Sequence, residues 1–192
     1  PSFISKETQQ AVRTKFSLPN DIILDIGTLE PRKNHARVLR AFAAIAQKFP
    51  HHHLVIAGGK GWQYKDVFKT YKTIITAHPE IKKRIHFLGY VSLEDLQVLY
   101  TLAAVFVFPA LYEGFGLPAL EALTHGCPVI VPNNSSLQEV VGDAALLVNP
   151  YSEEEIASAM ERILSDQNFA EKLREKGKLQ AQKFSWQNKT IN

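Results

Sequence analysis

One cysteine, Cys127, stands alone among 192 residues, so no disulfide can form within the chain, and a reducing compartment suits it. No apolar run approaches the ~20 residues that a membrane-spanning helix needs. The opening residues, PSFISKETQQ, have neither the basic start nor the apolar stretch of a secretion signal. Excess charge is also scarce. The 22 Lys and Arg face 19 Asp and Glu, a formal net charge of +3. That balance speaks against nucleic acid as a partner but suits an anionic ligand or an anionic membrane surface. There is no internal repeat, low-complexity tract or linker, so residues 1–192 read as a single domain. No Asp-x-Asp pair is present to hold a metal ion against a phosphate.

What is present is an alternation. Short, nearly continuous apolar runs occur at Ile22–Gly27, Leu54–Gly58, Ile85–Gly89, Val105–Pro109, Pro128–Val131 and Ala145–Val148. Runs of this kind are strands covered on both faces. Between them lie helical patterns. Val38, Leu39, Phe42, Ile45, Ala46 and Phe49 share one face, and Ile156, Met160, Ile163 and Leu164 share another. Ser92, Ser136 and Ser152 each precede an acidic residue by three positions, a helix-start signal. Repeated strand–helix units predict an α/β fold: a Rossmann-like, doubly wound parallel sheet of about six strands. Ligands of such sheets bind beyond the carboxyl ends of the strands.

Two loops at those ends carry the chemistry. The first, Gly27-Thr28-Leu29-Glu30-Pro31-Arg32-Lys33-Asn34, sets two cations beside a helix start. Cations and free backbone N–H groups there suit a diphosphate; solvated loop charges are the competing reading. The second, Tyr112-Glu113-Gly114-Phe115-Gly116-Leu117-Pro118-Ala119-Leu120-Glu121, combines a glycine turn with a helix that opens at Pro118. Glu113 and Glu121 bracket it, and carboxylates accept hydrogen bonds from the vicinal hydroxyls of a sugar or a ribose. Taken one at a time, Glu121 is a helix-dipole partner and Glu113 a surface residue.

These residues resemble the retaining glycosyltransferases of family 4, whose signature places two glutamates eight positions apart around Gly-Phe-Gly-x-Pro. The loop GTLEPRKN is similar to that family's phosphate loop, and LQEVVGDAALLVNP, from Leu137 to Pro150, to the segment that follows. The likeness runs from about Ile22 to Leu164. It implies one half of a two-domain GT-B enzyme: the carboxyl-terminal, donor-binding half, with the acceptor domain outside this sequence. The reaction implied is retaining transfer of a hexose of mannose or glucose type from a UDP- or GDP-sugar to a glycan or lipid-linked acceptor.

By the same resemblance, Lys33 and Arg32 hold the diphosphate, and Gly27 and Thr28 line the donor site. Glu113 meets the donor sugar and is the candidate catalytic residue. Gly114, Phe115, Gly116 and Leu117 present backbone to phosphate or sugar. Glu121 holds the ribose, and Tyr90 and Val91, after Gly89, meet the base. Many relatives carry an arginine where Thr28 stands, and Arg32 is the candidate substitute. No cofactor or metal is implied. The setting is cytoplasmic, with peripheral contact to the inner membrane face. Alternatives are a noncatalytic nucleotide- or phosphosugar-binding module and a GT-B-type epimerase.

Four features read as structural. His51-His52-His53 precedes a strand in a loop, without an acidic companion to make a metal site. Cys127 reads as buried packing, Trp62 as a loop anchor, and Glu171–Lys183 as a solvated surface helix.

Overall fold

The computed structural model describes residues 4–114, 116–134 and 137–184. Six parallel strands form one sheet: β1 (Asp21–Ile26), β2 (His52–Ala57), β3 (Ile85–Gly89), β4 (Ala103–Val107), β5 (Val129–Pro132) and β6 (Ala145–Val148). Their order is β3-β2-β1-β4-β5-β6. The chain starts in the middle of the sheet, winds to one edge, returns, and winds to the other. The crevice between β1 and β4 is therefore the place where the winding reverses.

Among the described residues, eight α-helices connect and flank the strands: α1 (Lys6–Phe16), α2 (His35–Ile45), α3 (Tyr64–Ala77), α4 (Leu93–Leu102), α5 (Leu117–Thr124), α6 (Leu137–Val141), α7 (Glu153–Ser165) and α8 (Gln167–Gln182). Successive strand residues point to opposite faces. Ile23 joins a core with Val38, Phe42, Val67, Ile156 and Met160, from α2, α3 and α7. Its neighbours Ile22 and Leu24 join the opposite core with Leu99, Ala119, Leu123 and Leu137, from α4, α5 and α6. The continuous apolar strands of the sequence are explained by this two-sided burial.

Two of the three serine start signals form caps: Ser92 Oγ accepts from Asp95 N at 3.2 Å, and Ser152 Oγ from Glu155 N at 3.1 Å. Each cap is worth ~1 kcal/mol of helix stability. Ser136 lies outside the described residues.

Three sequence readings need correction. Trp62 is no anchor, since it is 71% exposed. Its loop is held by backbone instead: Leu29 N donates to Gly59 O at 2.8 Å, and Gly58 N to Gly89 O at 2.8 Å. Gly58 lies so close that a Cβ there would stand 1.8 Å from the Gly27 carbonyl oxygen. With the turn clamped in this way, the indole has nothing to fasten. Second, His52 and His53 belong to β2 rather than to the loop before it, and His53 stacks on His86 of β3 with Nδ1 and Nε2 2.9 Å apart. Neighbouring parallel strands bring these two rings together, which the sequence alone conceals. Third, the charged terminal helix is not solvated all round. Ala170, Leu173, Gly177 and Gln180 recur at spacings of three and four and are buried, with Gly177 against Leu123 and Gln180 donating to Val140 O at 2.9 Å. The dense charges between them mask that narrow stripe. Cys127 is buried at 1% exposure, as packing requires, and burial pushes its thiol up to about 12.

Candidate donor site at the carboxyl edge of the sheet

The first loop leaves β1 at Gly27, whose N–H donates to Ala57 O at 3.0 Å. It then tightens into a single 3-10 turn, Pro31–Lys33, that ends at Asn34. Proline suits the opening of that turn because its φ is already set. Asn34 sits at φ 68°, a left-handed conformation that asparagine tolerates better than most residues. Its buried side chain donates to Pro109 O at 2.8 Å and to Pro150 O at 2.7 Å. One amide thereby fastens the loops after β1, β4 and β6 to one another. Leu111 N adds a second tie, donating to Arg32 O at 2.8 Å. The sequence motif contains Asn34, but nothing in it reveals these partners.

Because the two loops are tied together, their charges converge. Lys33 Nζ pairs with Glu113, and Arg32 Nη1 stands 3.5 Å from the same carboxylate oxygen. Arg32 Nε also meets Glu30 at 2.6 Å. Lys33 is buried, with its ammonium 5.1 Å from the centre of the Phe108 ring, while Arg32 remains exposed. A buried ammonium between a carboxylate and an aromatic face is held in one place, whereas the exposed Arg32 guanidinium is held at the surface by Glu30. Thr28 is exposed, and its carbonyl, not its hydroxyl, is engaged, accepting from His35 Nε2 at 3.2 Å.

The second loop enters α5 through Gly116, at φ 74°, where a Cβ would stand 1.8 Å from Leu137 Cδ2. Only glycine fits both the backbone angle and the space. Leu117 is the first residue of α5 and Pro118 follows. The Leu117 N–H has no carbonyl one turn earlier to bond, and the helix dipole adds positive potential there. Gly114 is exposed, and Phe115 lies outside the described residues.

Glu121, one turn into α5, is exposed on one side and accepts from the Tyr100 hydroxyl at 3.2 Å on the other. Burial raises its carboxyl above the ordinary value, outweighing the lowering by the Tyr100 bond. Tyr100 itself is 1% exposed, lies edge-on to Phe106, and has its phenol pushed far above the ordinary value by burial and then by Glu121. It therefore stays a donor, and it orients Glu121. Tyr100 lies on the buried face of α4 with Val98 and Leu99, and nothing local in the sequence signals this second role. Tyr90 is 83% exposed and Val91 half-buried at the end of β3, beyond the Gly89 turn.

Lys33, Arg32 and Glu113 thus form one cluster on the loops that precede α2 and α5, and α5 carries Glu121. No group of three or more metal-ligating side chains occurs among the described residues. The cluster can bind an anion by fixed positive charge and hydroxyl groups by carboxylates.

The chain is similar to known proteins along nearly its whole length. The profile of the family described as Glycosyl transferases group 1 matches residues 6–180. The O-antigen chain mannosyltransferase B of Escherichia coli is 39% identical over 176 residues, covering 88% of this chain and 44% of that protein. Sucrose-phosphate synthase of Thermosynechococcus elongatus superposes with a TM-score of 0.77 at 32% identity, over 93% of this chain and 45% of the other. Anabaena HepE, solved in complex with UDP, superposes with a TM-score of 0.81 over 93% of this chain and 49% of the other. At 20% identity that last likeness shows the fold alone. The chain spans less than half the length of each of these relatives.

Proposed function

The chain belongs to the glycosyl transferases of group 1, and from that membership we propose that it is the donor-binding half of a hexosyltransferase. It binds a nucleoside diphosphate sugar for retaining transfer, with the acceptor presented by a facing domain. The observation that carries this reading is the convergence of Lys33 and Arg32 with Glu113 on the loop that precedes α5, beside the β1–β4 crevice. Departure of a nucleoside diphosphate concentrates negative charge on the leaving phosphate. Fixed positive charge aimed there stabilises the transition state more than the ground state. Lys33, Arg32 and the N-terminus of α5 supply it without a divalent cation. Glu113 then turns to the hydroxyls of the sugar, and Glu121 to those of the ribose. A mannose-type donor is favoured because the O-antigen relative is named a mannosyltransferase.

The test is calorimetry with UDP, GDP and ADP in the presence of EDTA. One of the three is expected to bind, with modest affinity, because no facing domain closes over it. No binding by any of them at about millimolar concentration, a level at which even weak sites of ~4 kcal/mol fill, would remove the reading.

The setting proposed is cytoplasmic, with peripheral contact to a membrane. No helix among the described residues is long and apolar enough to cross one. Contact is supported by α3, where Lys65, Lys69 and Lys72 share a face, with Lys82 and Lys83 just beyond. These five are exposed, and none joins an ion pair among the described residues. Anionic lipid attracts such basic stripes, and salt screens the attraction. The protein is expected to sediment with phosphatidylserine-containing vesicles but not with phosphatidylcholine alone. Reversing Lys65, Lys69 and Lys72 to glutamate should abolish this. Equal sedimentation of the reversed variant would contradict it.

A further inference from the structure

Beneath the first loop lies a pair that the donor chemistry leaves unused. Asp25 occupies a core-facing position of β1, and His35 is the first residue of α2. Both side chains are wholly buried, and His35 Nδ1 stands 2.7 Å from Asp25 Oδ2. The other ring nitrogen, Nε2, stands 3.2 Å from the Thr28 carbonyl oxygen. The second carboxylate oxygen, Asp25 Oδ1, is buried with no hydrogen-bond partner among the described residues.

The proton count of this pair follows from its partners. A backbone carbonyl only accepts, so the ring must keep an N–H at Nε2 to bond Thr28. The short contact at Nδ1 then needs a second proton, on the ring or on the carboxyl. Either way the pair holds one proton more than an ionised aspartate beside a neutral histidine, and its net charge is zero. Losing that proton costs twice. If the remaining ring proton serves Asp25, the Nε2 lone pair faces the Thr28 carbonyl, and a net negative charge is left buried. That charge would lie under the loop meant to receive a diphosphate.

We infer that Asp25 and His35 act together as a positioning pair for the donor loop. Their shared proton holds the Thr28 carbonyl, and with it the course of residues 27–33, in the form that receives a nucleoside diphosphate. This rests on the donor-site reading above. A further observation agrees with it. Burial works against the imidazolium, yet the charge and hydrogen bond of Asp25 and the Thr28 carbonyl overcome it, so His35 titrates above its ordinary range. Lys33 is the other charge that acts on the ring, and it opposes protonation. Glu30, Arg37, Arg40 and Asp66 line the adjoining pocket. A pKa raised by folding means that the contribution is complete below the ordinary histidine value. It is lost as pH rises through the folded value.

The test is UDP, GDP or ADP affinity by calorimetry from about pH 6 to 9, with the imidazole nitrogens of His35 followed by NMR. In the native chain Nε2 is expected to stay protonated and bonded at neutral pH. Affinity should fall about tenfold as the shared proton leaves, a change of the size one charged hydrogen bond carries. The comparison variant is Asp25→Asn/His35→Gln, which keeps a donor toward Thr28 and has nothing to titrate. Its affinity should match the native value at low pH and lack the alkaline fall, and titration of the nucleotide itself cancels between the two proteins. Native affinity that is flat across this range, or an alkaline fall shared by the variant, would overturn the inference and leave the donor site standing. So would an Nε2 without its proton at neutral pH, a measurement that needs only the native chain. If no nucleotide binds at any pH, the donor-site reading falls, and this inference with it.

Discussion

Glu121→Ala is expected to weaken binding of a ribonucleoside diphosphate by roughly ten- to a hundredfold, and to leave the 2′,3′-dideoxy counterpart nearly unchanged. A hydrogen bond to a charged group contributes ~1.5–3 kcal/mol, which sets that range. The structure adds a reason for the upper half. Burial leaves the Glu121 carboxyl above its ordinary value, which means a poorly stabilised carboxylate with one phenol donor at 3.2 Å. Two ribose hydroxyls supply the donors it lacks, so binding returns solvation that folding removed. Tyr100→Phe removes the orienting donor but not the ligand, and a loss of about two- to tenfold should follow, the worth of one neutral hydrogen bond. Calorimetry on the two nucleotides decides the matter. Equal loss for ribo and dideoxy forms would reduce Glu121 to a charge on a helix.

Lys33→Ala should cost a similar factor but with the opposite signature, depending on the phosphates and not on the ribose. Diphosphate affinity is expected to fall by roughly ten- to a hundredfold, the free nucleoside being spared. Arg32 should not rescue it, because Arg32 is exposed, 3.5 Å from Glu113 and already engaged by Glu30 at 2.6 Å. Removing Lys33 also strips Glu113 of its closest counter-charge, so a negative group is left where phosphate must come. The converse variant exposes that competition. In the free protein, Lys33 is held by Glu113, and an arriving diphosphate has to share it. Glu113→Gln should therefore leave diphosphate affinity unchanged or raise it, while preference for the sugar-bearing nucleotide over the bare diphosphate is lost. If Lys33→Ala weakened nucleoside and nucleotide alike, the lysine would be a structural prop for the loop.

Much of this was legible from the residues. The strands β3 and β6 occupy the predicted spans, and the other four differ from prediction by one or two residues at either end. Apolar runs covered on both faces have no polar register to misread. The pairing of Arg32 and Lys33 with a helix start, the glycine turn before Pro118 and the two bracketing glutamates were equally plain, because each depends on local backbone chemistry. What stayed hidden depends on residues far apart in the chain. Trp62 looked like an anchor until the backbone bonds that clamp its loop were seen. The narrow buried stripe of α8 was masked by the charges between its members. Asp25 passed inside an apolar run, and nothing local pointed to its partner at position 35. Asn34 stood inside a quoted motif with no sign of its two carbonyl partners, 75 and 116 residues away.

The sequence by itself determined the class of fold and the chemical type of the site, because periodicity, turn residues and helix starts act over a few neighbouring positions. Tertiary structure decided which charges meet. Strand order put the end of β1 beside the end of β4, and Asn34 and Leu111 then closed the gap between the two loops. Only there does Lys33 reach Glu113, and only across the α4–α5 packing does Tyr100 reach Glu121. A side chain's neighbours across a parallel sheet are set by crossovers of 12 to 27 residues, distances over which no local pattern carries information.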